Sequence, residues 1–339
     1  MVVTHLQRNE ALASRRGVLR GLGSLASALT LGGCAGLAAT GAFDASSLSV
    51  NPTLLVTTTR KRVNGGLAKP WFGPERASKM TIARAKLVPP DQGRFSLAAA
   101  GFDSWRLSSV EPVAGQASDL LTPAAGGRDV LIYVHGFKQT FETAALDAAY
   151  LSDGIKFQGQ TMLFSWPSKA GLFDYAYDRD SAMFSRDGFE RVLTSLVAAQ
   201  GIGRVHIVAH SMGTMLALES LRLLHARYGD AAEQRIGAVV FAAPDIDMDV
   251  FSSAVNSIGP LARRITVIAA TNDRALELSG QMAGGMTRVG AAEKAAIERL
   301  GVRVVDASSA GWGFINHDLF LSNAEVRRAI RGAIDTTAA

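Results

Sequence analysis

From Gly127 onward, short apolar and β-branched runs alternate with longer amphipathic segments, and this alternation limits the possible folds more than any other feature. Short apolar runs are typical of strands buried on both faces, and strands that alternate with helices form parallel sheets. We predict strands at 130–134, 161–165, 205–209, 238–243, 265–270 and 302–305. The sequence therefore predicts an α/β fold: a doubly wound, mostly parallel sheet with helices on both faces.

The segments around these strands complete a single domain at 51–339. After Ser211, apolar residues recur at helical spacing, and Ser322 and Glu325 have the spacing of a capping box at the start of the last helix. Segments 54–58 and 81–87 are expected as two edge strands of the same sheet. The connection from 89 to 126 is long, and we assign no element to it.

Residues 1–33 resemble an export signal. Arg15 and Arg16 are followed by a weakly apolar run, as in twin-arginine signals, which carry folded proteins across a membrane. The run ends in Leu31-Gly32-Gly33-Cys34, which resembles a bacterial lipobox, so Cys34 is the expected lipidation site. A chance cysteine in an ordinary signal cut near Ala39 is the alternative. Residues 34–50, rich in Ala, Gly and Ser, are expected to be a flexible tether.

Charge and cysteine content limit the partners. The chain has a net charge of +5, but the part after residue 33 has 31 basic and 29 acidic residues, so the excess is largely in the leader. We therefore expect no nucleic-acid partner. The single cysteine excludes an internal disulfide. The leader's apolar run is shorter than the roughly 20 residues of a membrane-spanning helix. We expect an exported envelope protein, lipid-anchored or periplasmic, whose oligomeric state stays open.

The segment around Ser211 has the pattern of a nucleophile elbow. The run 205–209 leads through His210 to Ser211, Met212 and Gly213, and a helical pattern follows. A sharp strand-to-helix turn needs small residues two places before and two places after the serine, and Ala209 and Gly213 meet this requirement. The turn exposes the serine hydroxyl beside a helix N-terminus, which favours developing negative charge. Ser211 is the candidate nucleophile, and the N–H of Met212 is a candidate oxyanion donor.

The first core strand ends in Tyr133-Val134-His135-Gly136-Phe137. A loop in this place supplies the second oxyanion donor, for which the N–H of Phe137 is the candidate, and Gly136 lets the backbone approach the substrate. We expect His135 to fix the loop by hydrogen bonding rather than to react.

The remaining triad members follow Ser211 in the required order of acid and then histidine. Asp273 follows the strand at 265–270, and His317 follows the last strand. His317 would take the proton of Ser211, and Asp273 would orient the imidazole and stabilise its cation. Asp245 and Asp247, which follow the preceding strand, are alternative acids. No cluster has metal-ligand spacing, so we expect no metal and no cofactor.

An aromatic segment, 166–186, leaves the strand that precedes the nucleophile strand in the chain. Phe173, Tyr175 and Tyr177 are candidates for lining a substrate pocket or forming a cap. The alternative is a loop that packs on its own side chains.

Several of these motifs together resemble the bacterial alpha/beta hydrolase family known as DUF900. The resemblance rests on Tyr-Val-His-Gly-Phe, Ser-Trp-Pro, Tyr175 with Asp178-Arg179-Asp180, Ala-His-Ser-Met-Gly, Ala-Pro-Asp-Ile-Asp and the late His317. It covers the chain from Gly127 to the C-terminus and, more loosely, 54–87. It implies the α/β-hydrolase fold and a hydrolase triad, and implies little about the substrate.

Two functions remain open from the sequence. The first is a carboxylesterase-like or lipase-like enzyme that acts on a small-molecule or lipid-like acyl substrate through an acyl-enzyme. The second is a non-catalytic envelope lipoprotein that uses the fold for binding, because a fold alone does not prove an activity. Acyl transfer and amide cleavage use the same residues and remain open within the first.

Overall fold

The computed structural model describes most of the chain after residue 45. The described residues are 46–63, 68–90, 104–121, 127–229, 231–270, 272–273, 276, 279–280, 285, 287–310 and 323–338. They all belong to one compact unit. Within these ranges, no helix combines the length and the apolar character that a membrane crossing requires.

One sheet organises the described residues. Its strands are β1 (Thr53–Arg62), β2 (Phe72–Val88), β3 (Arg106–Val113), β4 (Val130–Val134), β5 (Gln160–Ser165), β6 (Val205–His210), β7 (Ile236–Ala242), β8 (Ile265–Ala269) and β9 (Arg303–Asp306). They stand in the order β3-β2-β1-β5-β4-β6-β7-β8-β9. β2 is antiparallel to both of its neighbours, and every pair from β1 to β9 across the rest of the sheet is parallel.

Helices cover the sheet on both faces, and successive strand residues face opposite sides. The helices are α1 (Ser47–Val50), α2 (Phe141–Gly154), α3 (Tyr175–Phe184), α4 (Arg186–Ala198), α5 (Gly213–Tyr228), α6 (Ala231–Arg235), α7 (Met248–Ser257), α8 (Lys294–Glu298) and α9 (Ala324–Ala338). Ile132 packs in the core on one face with α4 and α5, whereas Leu131 and Tyr133 pack on the other face with α2 and α9. Single 3-10 turns lie at Ala117–Leu120, Leu172–Asp174, Gly259–Arg264, Val289–Ala291 and Ser308–Ala310.

The predicted fold class is confirmed, and the six core strands lie where the sequence placed them, within two residues at each end. The segments expected as edge strands, 54–58 and 81–87, lie within β1 and β2 of the same sheet, but neither of these strands is at an edge. β1 is an interior strand between β2 and β5, and the edge is formed by β3, inside the connection to which no element was assigned. β3 buries only Leu107 and Val110 and contains Pro112. Because proline cannot donate to a ladder, such a strand fits only an edge, and its pattern is weak.

The last residues of the expected tether are structured. Ser46 caps α1 by accepting the N–H of Ser49, and Leu48 is buried. The hydroxyls of Ser46 and Ser49 donate to Asp153 on α2. The folded part therefore includes at least 46–50, which the sequence analysis had placed outside the domain.

The last helix begins one residue later than its capping pattern suggested. The Asn323 side chain accepts the N–H groups of Glu325 and Val326, as an N-cap does. Ser322, the expected cap, lies outside the described residues.

Candidate active site

Ser211 lies at a strained turn between β6 and α5. Its φ is 49°, a left-handed conformation that costs a non-glycine residue about 1–2 kcal/mol. Its N–H donates to the carbonyl of Ala242 over 2.9 Å, and its carbonyl accepts the N–H of Thr214 at 3.0 Å. These bonds hold the turn, which has the geometry of a nucleophile elbow.

The glycine after the elbow is required by a close backbone approach. A Cβ atom on Gly213 would overlap the carbonyl oxygens of His135 and Val134 at the end of β4. Ala209, on the other side of the serine, is completely buried. Gly213 and Ala209 are therefore small because neighbouring atoms leave no room for a larger side chain at either position.

The loop after β4 lies directly against the elbow. A Cβ atom on Gly136 would be 3.1 Å from the Cβ of Ser211 and 2.8 Å from Nδ1 of His210. Phe137, the next residue, and Met212, at the start of α5, thus flank the nucleophile. Within the described ranges, neither of their backbone N–H groups donates to a protein acceptor.

His135 is buried in the base of this loop. Its Nδ1 lies 2.9 Å from the Gly136 carbonyl, and its Nε2 lies 3.1 Å from the backbone N of Trp166. A neutral imidazole satisfies both contacts, donating from Nδ1 and accepting at Nε2. Burial, with the nearby charge of Arg60, lowers the pKa of His135 to about 3. The ring therefore stays neutral and fixes the loop, in the role expected from the sequence.

The candidate acids have different surroundings. Asp245 is engaged by three side chains: Arg288 at 3.1 Å, the Tyr175 hydroxyl at 2.9 Å and the Ser279 hydroxyl at 2.6 Å. Asp247 caps α7 by accepting the N–H groups of Asp249 and Val250.

Asp273 follows β8, two strands from the nucleophile strand, and is 1 % exposed. Its Oδ1 accepts the N–H of Leu276 at 3.2 Å. It therefore lies at the carboxyl end of the strand after which the sequence pattern places the triad acid.

His317 and Cys34 lie outside the described residues. The structure brings Ser211, Phe137 and Met212 together and puts Asp273 at the same edge of the sheet. β9 ends at Asp306 beside β8, so the chain leaves the last strand at that edge as well.

The aromatic residues after β5 have separate environments. The ring of Tyr175 contacts Phe137 edge to face at 5.5 Å, which places it next to the loop after β4. Tyr177 instead bonds to the carbonyl of Pro74 and packs against Arg76 and Lys169. Phe173 is fully exposed. Of the three, only Tyr175 contacts a residue beside the nucleophile.

Other sites are separate from this edge. His206 bonds to Asp129 at 3.1 Å near the amino ends of the strands, which is a structural contact. A cavity of about 610 Å³ opens at the same far edge, with Thr53, Gln160 and Arg84 in its lining. In the described ranges, no group of side chains has the arrangement of a metal site.

Arg60 and Ser168, which bond to the loop after β4, are not among the candidate site residues predicted from the sequence. Arg60 ends a run of apolar and threonine residues in β1, and a lone charge in such a run is the signal that points to it.

Comparison with known proteins identifies the family. The model of DUF900, described as an alpha/beta hydrolase of unknown function, matches residues 118–333, well over half of the chain. The chain belongs to the DUF900 family. No curated protein shows a significant match to its sequence.

Solved structures resemble this DUF900 protein only distantly. An uncharacterized protein from Bacillus cereus ATCC 10987 is 12% identical with a TM-score of 0.42, over 71% of this chain and 65% of its own, just under two thirds. An esterase from Pyrobaculum calidifontis is 14% identical with a TM-score of 0.34, over 76% and 82%. Esterase B from Lactobacillus rhamnosis is 13% identical with a TM-score of 0.38, over 75% and 87%. Similarity this low says nothing about a shared activity.

Proposed function

We propose that this DUF900 protein is a serine hydrolase that cleaves a carboxylic ester or a related acyl bond. The observation that carries the proposal is the strained backbone of Ser211 at the start of α5, packed against Gly136. Strain at a non-glycine residue persists only where the surrounding structure enforces it, and it is concentrated at functional sites. Here the contacts around the turn come from the loop after β4, from β7 and from α5.

The proposed reaction has two steps. Ser211 Oγ attacks the ester carbonyl while His317 takes its proton, and the N–H groups of Phe137 and Met212 stabilise the oxyanion. The bond to the leaving alkoxide then breaks, and His317 returns the proton to that oxygen. Water, activated by His317, hydrolyses the acyl-enzyme and restores Ser211. Asp273 orients the imidazole and stabilises its cation.

Hydrolysis of p-nitrophenyl esters of graded acyl length tests this function. We expect Ser211→Ala to lose activity on every ester, because no other group replaces the nucleophile. Ser220→Ala is the matched control, since Ser220 is a buried serine of α5 whose hydroxyl donates to the backbone carbonyls of Arg186 and Leu216. Equal activity of wild type and Ser211→Ala would contradict the proposal, and a folded, inactive wild type would favour a binding protein.

We also propose that the protein is exported and anchored through a lipid on Cys34. The support is the paired arginines and the lipobox-like tetrad of the leader. In bacterial cells, Cys34→Ala should move the protein from the membrane fraction to the soluble fraction. A variant that stays membrane-bound would contradict the anchor.

A further inference from the structure

The loop of residues 136–139 is bonded to three other parts of the fold. Its partners are Arg60 on β1, Ser168 after β5 and Asp178 on α3. We refer to Arg60, Ser168 and Asp178 as the loop-holding cluster. All three side chains are buried, with at most 2 % of the residue exposed.

Arg60 connects the loop to the end of β5. Its Nη2 donates to the carbonyl of Gln139 at 2.7 Å, its Nη1 to the carbonyl of Ser168 at 3.0 Å, and its Nε to the hydroxyl of Ser165 at 2.9 Å. Burial lowers the pKa of Arg60 to about 10, so the guanidinium remains charged at neutral pH. The planar guanidinium group of an arginine has several N–H donors and can bond to acceptors that lie in different directions. The ammonium group of a lysine cannot reach all of these acceptors.

Asp178 and Ser168 bind the amide groups of the loop. The Asp178 carboxylate accepts the N–H of Lys138 at 3.3 Å and that of Lys169 at 2.9 Å, and it accepts the hydroxyl of Ser168. That hydroxyl oxygen in turn accepts the N–H of Gln139 at 3.2 Å. Asp178 and Ser168, which bond to each other, therefore hold the backbone N–H groups of Lys138 and Gln139, the two residues that follow Phe137.

Lys138 shows that the loop is held against its own preference. Its φ is 63°, in the left-handed region that a lysine rarely adopts. The bond from its N–H to Asp178 and the bonds of the next residue to Arg60 and Ser168 oppose relaxation of this strain. Phe137, whose N–H is the proposed oxyanion donor, is the residue directly before it, and Gly136, the residue before Phe137, lies against Ser211.

We propose that Arg60, Ser168 and Asp178 are positioning residues, which aim the Phe137 N–H at the oxyanion that forms during attack by Ser211. The role rests on the proposed function, because it has meaning only if Ser211 reacts. A donor that is displaced by about 1 Å at such a site can lower the rate about 100-fold while the substrate still binds.

The rate of reaction with a fluorophosphonate probe measures this role without knowledge of the substrate. In the full-length protein, we expect Ser168→Ala and Asp178→Asn to lower the maximal labelling rate about 10-fold to 100-fold with little change in the half-saturating probe concentration. Arg60→Lys, which keeps the charge but lacks the fork, should behave in the same way. Ser152→Ala is the matched control, because Ser152 is an equally buried serine that bonds to Thr161 at the far edge of the sheet.

Hydrogen exchange of the 136–139 amides separates positioning from a general loss of stability. We expect faster exchange there in Ser168→Ala, with unchanged exchange in β7 and β8, and no change in Ser152→Ala. If the wild type is labelled, and all three cluster variants keep its labelling rate and its hydrogen exchange, the positioning role is overturned while the proposed function stands. A folded wild type that is not labelled would overturn the proposed function and the positioning role with it.

Discussion

At the scale of single residues, the two buried aspartates at the carboxyl edge of the sheet are expected to differ in function. Asp245 forms an ion pair with Arg288 and hydrogen bonds with Tyr175 and Ser279. Asp273 instead follows β8, the strand from which an acid is expected to reach the histidine.

We predict that Asp273→Asn lowers kcat by about 10⁴-fold, because the imidazole loses its orienting carboxylate. Asp245→Asn should instead destabilise the fold, because the charge of Arg288 stays buried without its partner. Ester hydrolysis and denaturant unfolding of both variants check this. Loss of activity confined to Asp245→Asn would make Asp245 the triad acid.

The candidate residues at the elbow and in the loop after β4 could be identified from the sequence, whereas Arg60, which bonds to that loop, could not. Ser211 and Phe137 stand in local patterns whose geometry follows from a few neighbouring residues. The acceptors of Arg60 in Gln139, Ser165 and Ser168 lie 79 to 108 residues away in the chain. Only the pairing of β1 with β5 brings them together, and no local pattern encodes that contact.

At the scale of the elements, the approach of α5 to β4 depends on Gly213. We predict that Gly213→Ala destabilises the protein by about 1–3 kcal/mol and abolishes activity, since the new methyl group overlaps the backbone of His135 and displaces Ser211. Gly332→Ala in α9 is the control. Its Cβ meets nothing within 4 Å, so it should stabilise the helix by about 0.5–1 kcal/mol. Thermal unfolding distinguishes the two, and equal stability of both variants would refute the close approach.

Most of the core strands that the sequence predicted are buried on both faces. β4, β7 and β8 bury every residue, and their sequences are almost wholly apolar. β2 and β3 have polar residues along much of their length, and many of their residues are exposed or only partly buried. The sequence therefore does not predict β3, the edge strand on this side of the sheet, because its apolar pattern is weak.

At the scale of the whole molecule, stability should depend on pH through His135. In the unfolded chain this histidine binds a proton below its ordinary pKa of 6.5, whereas burial lowers its pKa in the folded protein to about 3. Between these values the unfolded state binds more protons, so the free energy of unfolding falls as the pH falls, by up to about 1.4 kcal/mol per unit.

Denaturant unfolding from pH 7 to pH 4 measures this slope. His135→Asn should be less stable at pH 7 and should show a shallower fall. Burial also raises the pKa of Asp178, which opposes the fall at acid pH, but that contribution is common to both proteins and cancels in their difference. Parallel curves for the two proteins would show that His135 does not stay neutral in the fold.

The sheet gathers the site from segments far apart in the chain. The carboxyl ends of β4, β6 and β8 lie along one edge, which brings Phe137, Ser211 and Asp273 to the same side of the molecule. Substrate selection depends on the surfaces around this site, which no motif in the sequence specifies. The matched family is itself described as one of unknown function.

The central claim, that Ser211 is an activated nucleophile, is tested most directly by mass spectrometry after reaction of the purified protein with a fluorophosphonate. We predict one adduct per chain, located on the peptide that contains Ser211, and none in Ser211→Ala. An unmodified Ser211 in folded protein, or an adduct that persists in Ser211→Ala, would contradict the assignment of this residue as the nucleophile.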